Sequence, residues 1–421
     1  MLKRPILLLV LTLSIGFSTA IHAQTPIKVM CYNILNFPEG SMPDRQDTLK
    51  KIIDYVAPDL FLIQELRNAN GLDLVYNESF AGLPGTYAAS TFVPNQSNQG
   101  GSFNLQQAII YNTEVFGLAE ERLKTTPVRD INIFKLFLQD ENLGNGADTT
   151  FLYVFNTHLK SSQGSSNENL RLEMVQVFVD ELMNLDPDSY VIFAGDFNVY
   201  SSNEPAYQLL LSENNAIVME DPIDAPGEWS SSSYPFKQIL TQSTRSSQIY
   251  NDGAGGGVDD RFDFILVSEN MKDASSTLRA DIASYKALGN NGECYNGNIT
   301  ECADGNELPE EILTSLYFMS DHLPVIMNLE TDVTLGTTAQ SGVEQNFISV
   351  FGDRILVRPE LQTALVHVRI YDTFGRLVLE QSCTPGQYLN LSALSEGVYI
   401  ATAQINEATN TLQRQKFILN R

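Results

Sequence analysis

Strand-like runs alternating with helical ones over residues 27–330 predict an α/β core of two sheets flanked by helices, and an all-β stretch from residue 345 predicts a small β-sandwich after it. Three observations carry this. Apolar runs of strand length recur and meet a polar residue at one end: Asn33 follows 27–32, Glu65 follows 59–64, His158 follows 151–157, and Asp196 and Asn198 follow 190–194. Asp263 opens 264–267, and Asp321 with His322 precedes 323–327. Between such runs, apolar residues repeat at helical spacing, and beyond residue 345 the pattern changes to short alternating stretches separated by turn signals.

The chain begins MLKRPILLLVLTLSIGFSTAIHAQ, with basic Lys3 and Arg4, an apolar run and small residues at Ser18, Ala20 and Ala23. This predicts a secretory signal over 1–23, cut after Ala20 or Ala23 and too short for a stable membrane span. IKVMCY then forms the first strand. A helix over 45–56 buries Leu49, Ile52, Ile53 and Val56, and Pro58 stops it. DLFLIQEL lacks alternation, as a strand covered on both faces should. A polar loop at 94–102 leads to a strand at 107–112, and a second loop at 140–150 leads to FLYVFNTHLK. A helix over 169–185 carries Leu172, Val175, Phe178, Val179 and Leu182 on one side, and a shorter one over 204–211 follows YVIFAGDFNVY. The Ser/Gly/Pro-rich segment 221–257 is long enough to predict a site-shaping loop. Residues 331–344 read as a linker, which leaves domains at 24–330 and 345–421.

The 421 residues carry a net charge of −25. Between 24 and 344 there are 17 basic and 45 acidic residues, against 7 and 6 from 346 to 421, so the acidity belongs to the first domain. That argues against non-specific attraction to DNA, which needs Lys and Arg to release counterions. It leaves room for a nuclease whose divalent metal offsets local repulsion. Among the four cysteines, Cys294 and Cys302 share a Gly/Asn-rich segment that a local disulfide would staple, while Cys31 and Cys383 read as unpaired; no zinc spacing is present.

Taken in order, YNILNF, QEL, NTHLKS, AGDFN, RFDFILVS and SDHLPV resemble the endonuclease/exonuclease/phosphatase superfamily, the fold of pancreatic deoxyribonuclease. The resemblance covers about residues 27–330 and implies a four-layered α/β sandwich with its site across one end of two packed sheets. RIYDTFGRLVLE, LNLSALSEGVYIATAQI and QRQKFILNR resemble the C-terminal sorting domain of the type IX secretion system. That implies partnership with this machinery, export across the outer membrane, and a secreted or cell-surface product.

Attack on a phosphate ester adds charge to an anionic centre, so the chemistry calls for a hard cation, Mg²⁺ with Mn²⁺ or Ca²⁺ as substitutes. Glu65 is the first candidate ligand, with Asn33 supplying a neutral oxygen; the resemblance adds Asp321. It also implies that His158 and His322 contact the scissile phosphate and that Asp263 stands behind the ring of His322. Asp196 is assigned to deprotonating the attacking water, with a second metal ligand as the alternative, and Asn198 to donating to a phosphate oxygen. Tyr111 is a further candidate for reaching the phosphate, and Arg171 for pairing with a carboxylate near the site. The expected activity is a monomeric, secreted phosphodiesterase, an endonuclease on DNA or RNA. Alternatives are a sphingomyelinase-like or small-molecule phosphoesterase and an inactive surface-binding module.

Overall fold

The computed structural model describes residues 26–335 apart from 41, 98–104, 144–147 and 303–305, and residues 348–419 apart from 352–353, 359–364, 373–375 and 405–411. The predicted signal over 1–23 and most of the linker over 331–344 lie outside the described residues.

Two six-stranded mixed sheets form the larger body. The first runs, in order of pairing, β11 (Leu278–Ala287), β12 (Val325–Thr331), β1 (Ile27–Phe37), β2 (Leu60–Leu66), β4 (Gln106–Asn112) and β3 (Tyr87–Ala89). The second runs β5 (Phe116–Lys124), β6 (Ile131–Leu138), β7 (Phe151–His158), β8 (Tyr190–Asp196), β10 (Asp263–Ser268) and β9 (Met219–Glu220). Each sheet contains one parallel pair, β1 with β2 and β7 with β8, the pairing that an intervening helix permits.

Those helices make the outer layers. α1 (Arg45–Val56) and α5 (Glu310–Met319) bury Leu49, Ile52, Ile53, Leu313 and Leu316 against the first sheet. α2 (Ala69–Leu74) follows β2 on the same side. α3 (Ser165–Leu182) and α4 (Pro205–Leu210) bury Val175, Phe178, Leu182 and Leu210 against the second. Between the sheets, Val29, Cys31, Leu62, Ile109, Val154, Ile192 and Ile265 form a third apolar cluster. The four layers expected from the sequence are present.

The core also carries an amide bridge. Gln64 Nε2 donates to Asn156 Oδ1 at 2.6 Å, and Asn156 Nδ2 donates to the carbonyls of Ile63 (3.1 Å) and Ala108 (3.0 Å). A buried amide pair is tolerated only when its groups find partners, and this one joins β7 to β2 and β4 directly beneath the strand ends that matter below.

Past residue 348 are two antiparallel sheets, β13 (Ile348–Phe351), β14 (Arg354–Val357) and β17 (Tyr388–Asn390) in one, and β16 (Leu377–Cys383), β15 (Val366–Asp372), β18 (Gly397–Gln404) and β19 (Leu412–Leu419) in the other. Ile355, Val368, Leu389 and Ala401 pack between them, which makes the predicted β-sandwich. Cys294 and Cys302 are bridged with their Cα atoms 5.4 Å apart, and Cys31 and Cys383 are buried free thiols.

Candidate functional site

Parallel β1 and β2 end together, as do β7 and β8, and register brings the remaining polar ends to the same edge. β10 runs antiparallel to β8 with Asp263 opposite Asp196, so the start of β10 meets the end of β8. β12 runs antiparallel to β1 with Val325 opposite Cys31, which puts the preceding Asp321 and His322 beside the end of β1. An acid that opens a strand and acids that close others thereby share one edge.

Backbone irregularities set the side chains. Glu65 has φ 65°, between pairs whose register shifts, and Leu35 and Asn36 have φ 47° and 49°. Such left-handed residues cost energy and persist where the surroundings enforce them. Asn198 is left-handed too, at φ 51°. Gly195 has φ 146°, and a Cβ there would lie 1.8 Å from the Thr157 carbonyl oxygen, so only glycine lets β8 approach β7 and set Asp196 beside His158.

Asn33 is the hub. Its Nδ2 donates to Glu65 Oε1 and Asp196 Oδ2, both at 3.0 Å, and lies 3.4 Å from His322 Nε2. Its Oδ1 accepts from the Leu35 N–H at 3.0 Å. The expected metal-facing oxygen of Asn33 therefore points into its own turn, and ligation through it requires the amide to turn over. Glu65 Oε2 accepts from the Asn36 N–H at 2.9 Å. His158 Nε2 lies 3.3 Å from Asp196 Oδ2, and its Nδ1 is 3.9 Å from Glu65 Oε1. His322 Nδ1 meets Asp263 Oδ2 at 2.8 Å, which leaves Nε2 3.7 Å from Asp196. Glu65, His158 and Asp196 form one group able to hold a cation, and Asp196, Asp263 and His322 another.

The two imidazoles are driven apart. Burial lowers the basicity of His158, and Arg129, His322 and Lys160 lower it further, so its ring is neutral. Burial opposes the charge on His322 too, but Asp263 and Asp196 outweigh that and hold it well above the usual histidine range. Burial pushes the Asp196 carboxyl up to about 7; His322 opposes the rise, while Asp263 and Glu65 add to it.

Asp321 stands outside both groups. Its Oδ2 accepts from the Ala254 N–H at 2.6 Å and from Gln242 Nε2 at 3.3 Å. Asn198 Nδ2 makes a long 3.4 Å contact to the Leu159 carbonyl, and its N–H donates to Asp196 Oδ1 at 3.1 Å. Tyr111 pairs with Leu60 at the opposite end of β2 and packs between the sheets, where burial pushes its hydroxyl up to about 12; it is a core residue. Arg171 is fully buried, with Nε 2.8 Å from Glu204 Oε2 and Nη1 on the carbonyls of Lys160 and Ser162, so it clamps the turn after β7 to α4.

Two neighbours had no sequence signal. Gln242 Nε2 lies 2.6 Å from His322 Nε2, brought there by backbone bridges to Asp260 and His322 from the middle of the long loop. Arg129, two residues before β6, donates from Nη1 to the Leu159 carbonyl at 2.8 Å and acts electrostatically on Glu65 and Asp196. Neither belongs to a strand-end motif.

A family model described as the endonuclease/exonuclease/phosphatase family matches residues 30–322, and one described as a secretion system C-terminal sorting domain matches 353–420. No curated protein matches. Among solved structures, zebrafish TDP2 complexed with single-strand DNA product is similar at 16% identity over 73% of this chain and 100% of that one, with a TM-score of 0.47. The human Nocturnin catalytic domain with bound sulfate is similar at 18% over 73% and 94%, TM-score 0.44. An endonuclease/exonuclease/phosphatase from Bacteroides vulgatus is similar at 16% over 73% and 100%, TM-score 0.45.

Proposed function

Because this chain belongs to the endonuclease/exonuclease/phosphatase family, we propose that it is a divalent-metal-dependent phosphodiesterase, an extracellular endonuclease acting on DNA or RNA. The observation that carries the reading is convergence: Asn33, Glu65, His158, Asp196 and His322, spread over almost 300 positions of sequence, meet through direct contacts at one end of the two packed sheets. The chain also carries a type IX sorting domain, which directs export to the cell surface or beyond, and no helix among the described residues is long and apolar enough to cross a membrane. Domains at 24–330 and 345–421 follow as the working division.

The donor set fits a hard cation. Burial raises Asp196, and Asp263 and Glu65 add to the rise; a positive ion among these oxygens would relieve that repulsion. Glu65 and, with its amide turned over, Asn33 would hold Mg²⁺, or Mn²⁺ or Ca²⁺ in its place, with Asp321 Oδ1 as a further carboxylate oxygen and Asp196 left as the base. When bound, the ion offsets negative charge on the phosphoryl oxygens. Asp263 fixes the His322 ring through Nδ1, so protonated Nε2 donates to a phosphoryl oxygen as charge develops there. Asn198 Nδ2 donates to a second oxygen, and neutral His158 orients Asp196. Asp196 takes the proton of the attacking water; the new oxygen–phosphorus bond forms as the bond to the leaving oxygen breaks on the far side, and that oxygen is protonated from solvent.

Nucleic acid is favoured over lipid because the exposed large apolar side chains described in the catalytic body are scattered, at Tyr55, Met183, Tyr234 and Tyr250, without the continuous face an interfacial enzyme inserts. Tyr234 and Tyr250 instead offer rings for stacking bases. The test is the purified chain with plasmid DNA, RNA, sphingomyelin and bis-p-nitrophenyl phosphate, in Mg²⁺ and in EDTA. Cleavage of DNA or RNA that EDTA stops supports the proposal. Hydrolysis of sphingomyelin alone replaces it with the lipid reading, and no turnover of any substrate overturns the enzyme assignment.

A further inference from the structure

Four arginines in the catalytic body are almost completely buried, and three show how this fold satisfies such a group. Arg171 is held by Glu204 and two carbonyls. Arg261 is bidentate on Asp221, at 2.8 and 2.9 Å. Arg45 donates to the carbonyls of Ile34, Leu35 and Met319. Arg245 is the exception. It is 2% exposed, and its Nε and Nη2 are buried with no partner among the described residues. A buried guanidinium left without hydrogen bonds is costly, and such a group in a native fold calls for an explanation.

Arg245 lines a cleft with Leu35, Arg45, Tyr250, Asp252 and Met319, open to solvent and about 210 Å³ with its mouth included. Most of that volume is open solvent, and the enclosed part has room for about one water-sized group. One wall is the turn after Asn33: Leu35 N–H donates to Asn33 Oδ1, and Asn36 joins Glu65 Oε2 to Asp252 Oδ1 through its N–H (2.9 Å) and Nδ2 (3.4 Å). The opposite wall is the loop that also carries Gln242 to His322. Burial lowers the basicity of Arg245; Asp321 and Asp252 oppose that only in part through space, and neither hydrogen-bonds it. Asp321 Oδ2 is taken by Ala254 and Gln242, and Asp252 Oδ1 by Gly253 and Asn36. The cleft thus offers unused N–H donors on a guanidinium whose burial is not compensated by hydrogen bonds. Tyr250, 56% exposed, stands at its lip.

Building on the phosphoesterase reading of the neighbouring site, we propose that this cleft is a second phosphate subsite, in which Arg245 receives an oxygen of the phosphate next to the scissile one and Tyr250 stacks on the attached ring. The substrate class is then a phosphodiester bearing a second phosphate, as in a nucleic acid strand. Guanidinium–phosphate pairing supplies both the geometry and the affinity such a subsite needs.

The test compares the p-nitrophenyl ester of thymidine 5′-monophosphate with the same ester carrying a 3′-phosphate, using the full chain and Mg²⁺. The wild type should prefer the two-phosphate ester, and Arg245→Met should lower the ratio of the two kcat/KM values about tenfold, with Arg245→Lys in between. Tyr250→Ala, at an exposed position that does not endanger the fold, should raise KM for both esters, which share the same ring, and leave their ratio near the wild-type value; an unchanged KM removes the stacking role. A ratio unchanged in Arg245→Met, or equal losses on both esters, overturns the subsite; the second result would make Arg245 a support for Asp321. If Arg245→Met does not fold, the ratio in Arg245→Lys decides, and a wild-type ratio there overturns the subsite. Should the wild type cleave DNA or RNA but neither ester, the subsite is overturned alone; should it turn over neither ester nor nucleic acid, the phosphoesterase reading falls, and the subsite with it.

Discussion

Replacing Asp196 by asparagine should make the metal-free protein more stable above neutral pH, because this carboxyl opposes folding once it ionises. It is 2% exposed, and burial with Asp263 and Glu65 nearby raises it from 3.8 to about 7. A group bound more tightly to its proton in the folded state gives stability that is complete below pH 4 and is lost as pH rises through 7. Roughly three units at about 1.4 kcal/mol each set a ceiling of about 4 kcal/mol on that loss. The amide of Asp196→Asn has no proton to lose, so the variant's stability should be flatter between pH 4 and 8. Urea unfolding in EDTA at pH 4.5, 6 and 8 (roughly the span of the titration window) measures both slopes. The variant should match the wild type at the acid end and exceed it by a few kcal/mol at the alkaline end. Added Mg²⁺ should recover much of the deficit in the wild type, by about 2.7 kcal/mol at a hundredfold excess over Kd. Parallel curves for the two proteins, or a variant less stable at pH 8, would refute the claim that crowded acids destabilise this edge.

His322→Ala should lower kcat by about 10²–10³ while circular dichroism is unchanged, since it removes one donor to the phosphoryl group; near-wild-type turnover would remove the assignment. Glu65→Gln should weaken activation by Mg²⁺ about tenfold or more, read as a shift of the half-activating concentration rather than of the plateau. Gly195→Ala should fail to fold or lose most of its stability, because its Cβ would lie 1.8 Å from the Thr157 carbonyl; a soluble, active variant would show that β7 and β8 can separate without losing the site. Deleting residues 345–421 should leave an active enzyme retained in the periplasm, followed by fractionation, and unchanged export would exclude a sorting role.

What the sequence discloses about this site depends on how far each residue's placement is local. Glu65, His158 and Asp196 could be found because a strand supplies both the apolar run that marks it and the end that presents the acid or imidazole. α1 was legible to the residue, since its buried face repeats cleanly. β5 and β11 carry no legible pattern: FGLAEERLK and LRADIASYKA mix charge and apolar residues, and their registers shift against β6 and β12, so no single alternation survives. The burial of Arg171 could not be read from NENLRLE, because Glu204, which neutralises it, lies 33 residues away behind a strand. Gln242 and Arg129 were invisible for the same reason in a stronger form. Each reaches the site from an irregular segment whose path is fixed by contacts with strands far along the chain, Gln242 by Asp260 and His322 and Arg129 by Leu159. Periodicity reports what a segment does for the core, whereas these two residues owe their positions to what the core does for them. Arg245 and Tyr250 of the proposed subsite are residues of this second kind, so the family was readable from the motifs while the segments proposed to choose the substrate carried no pattern.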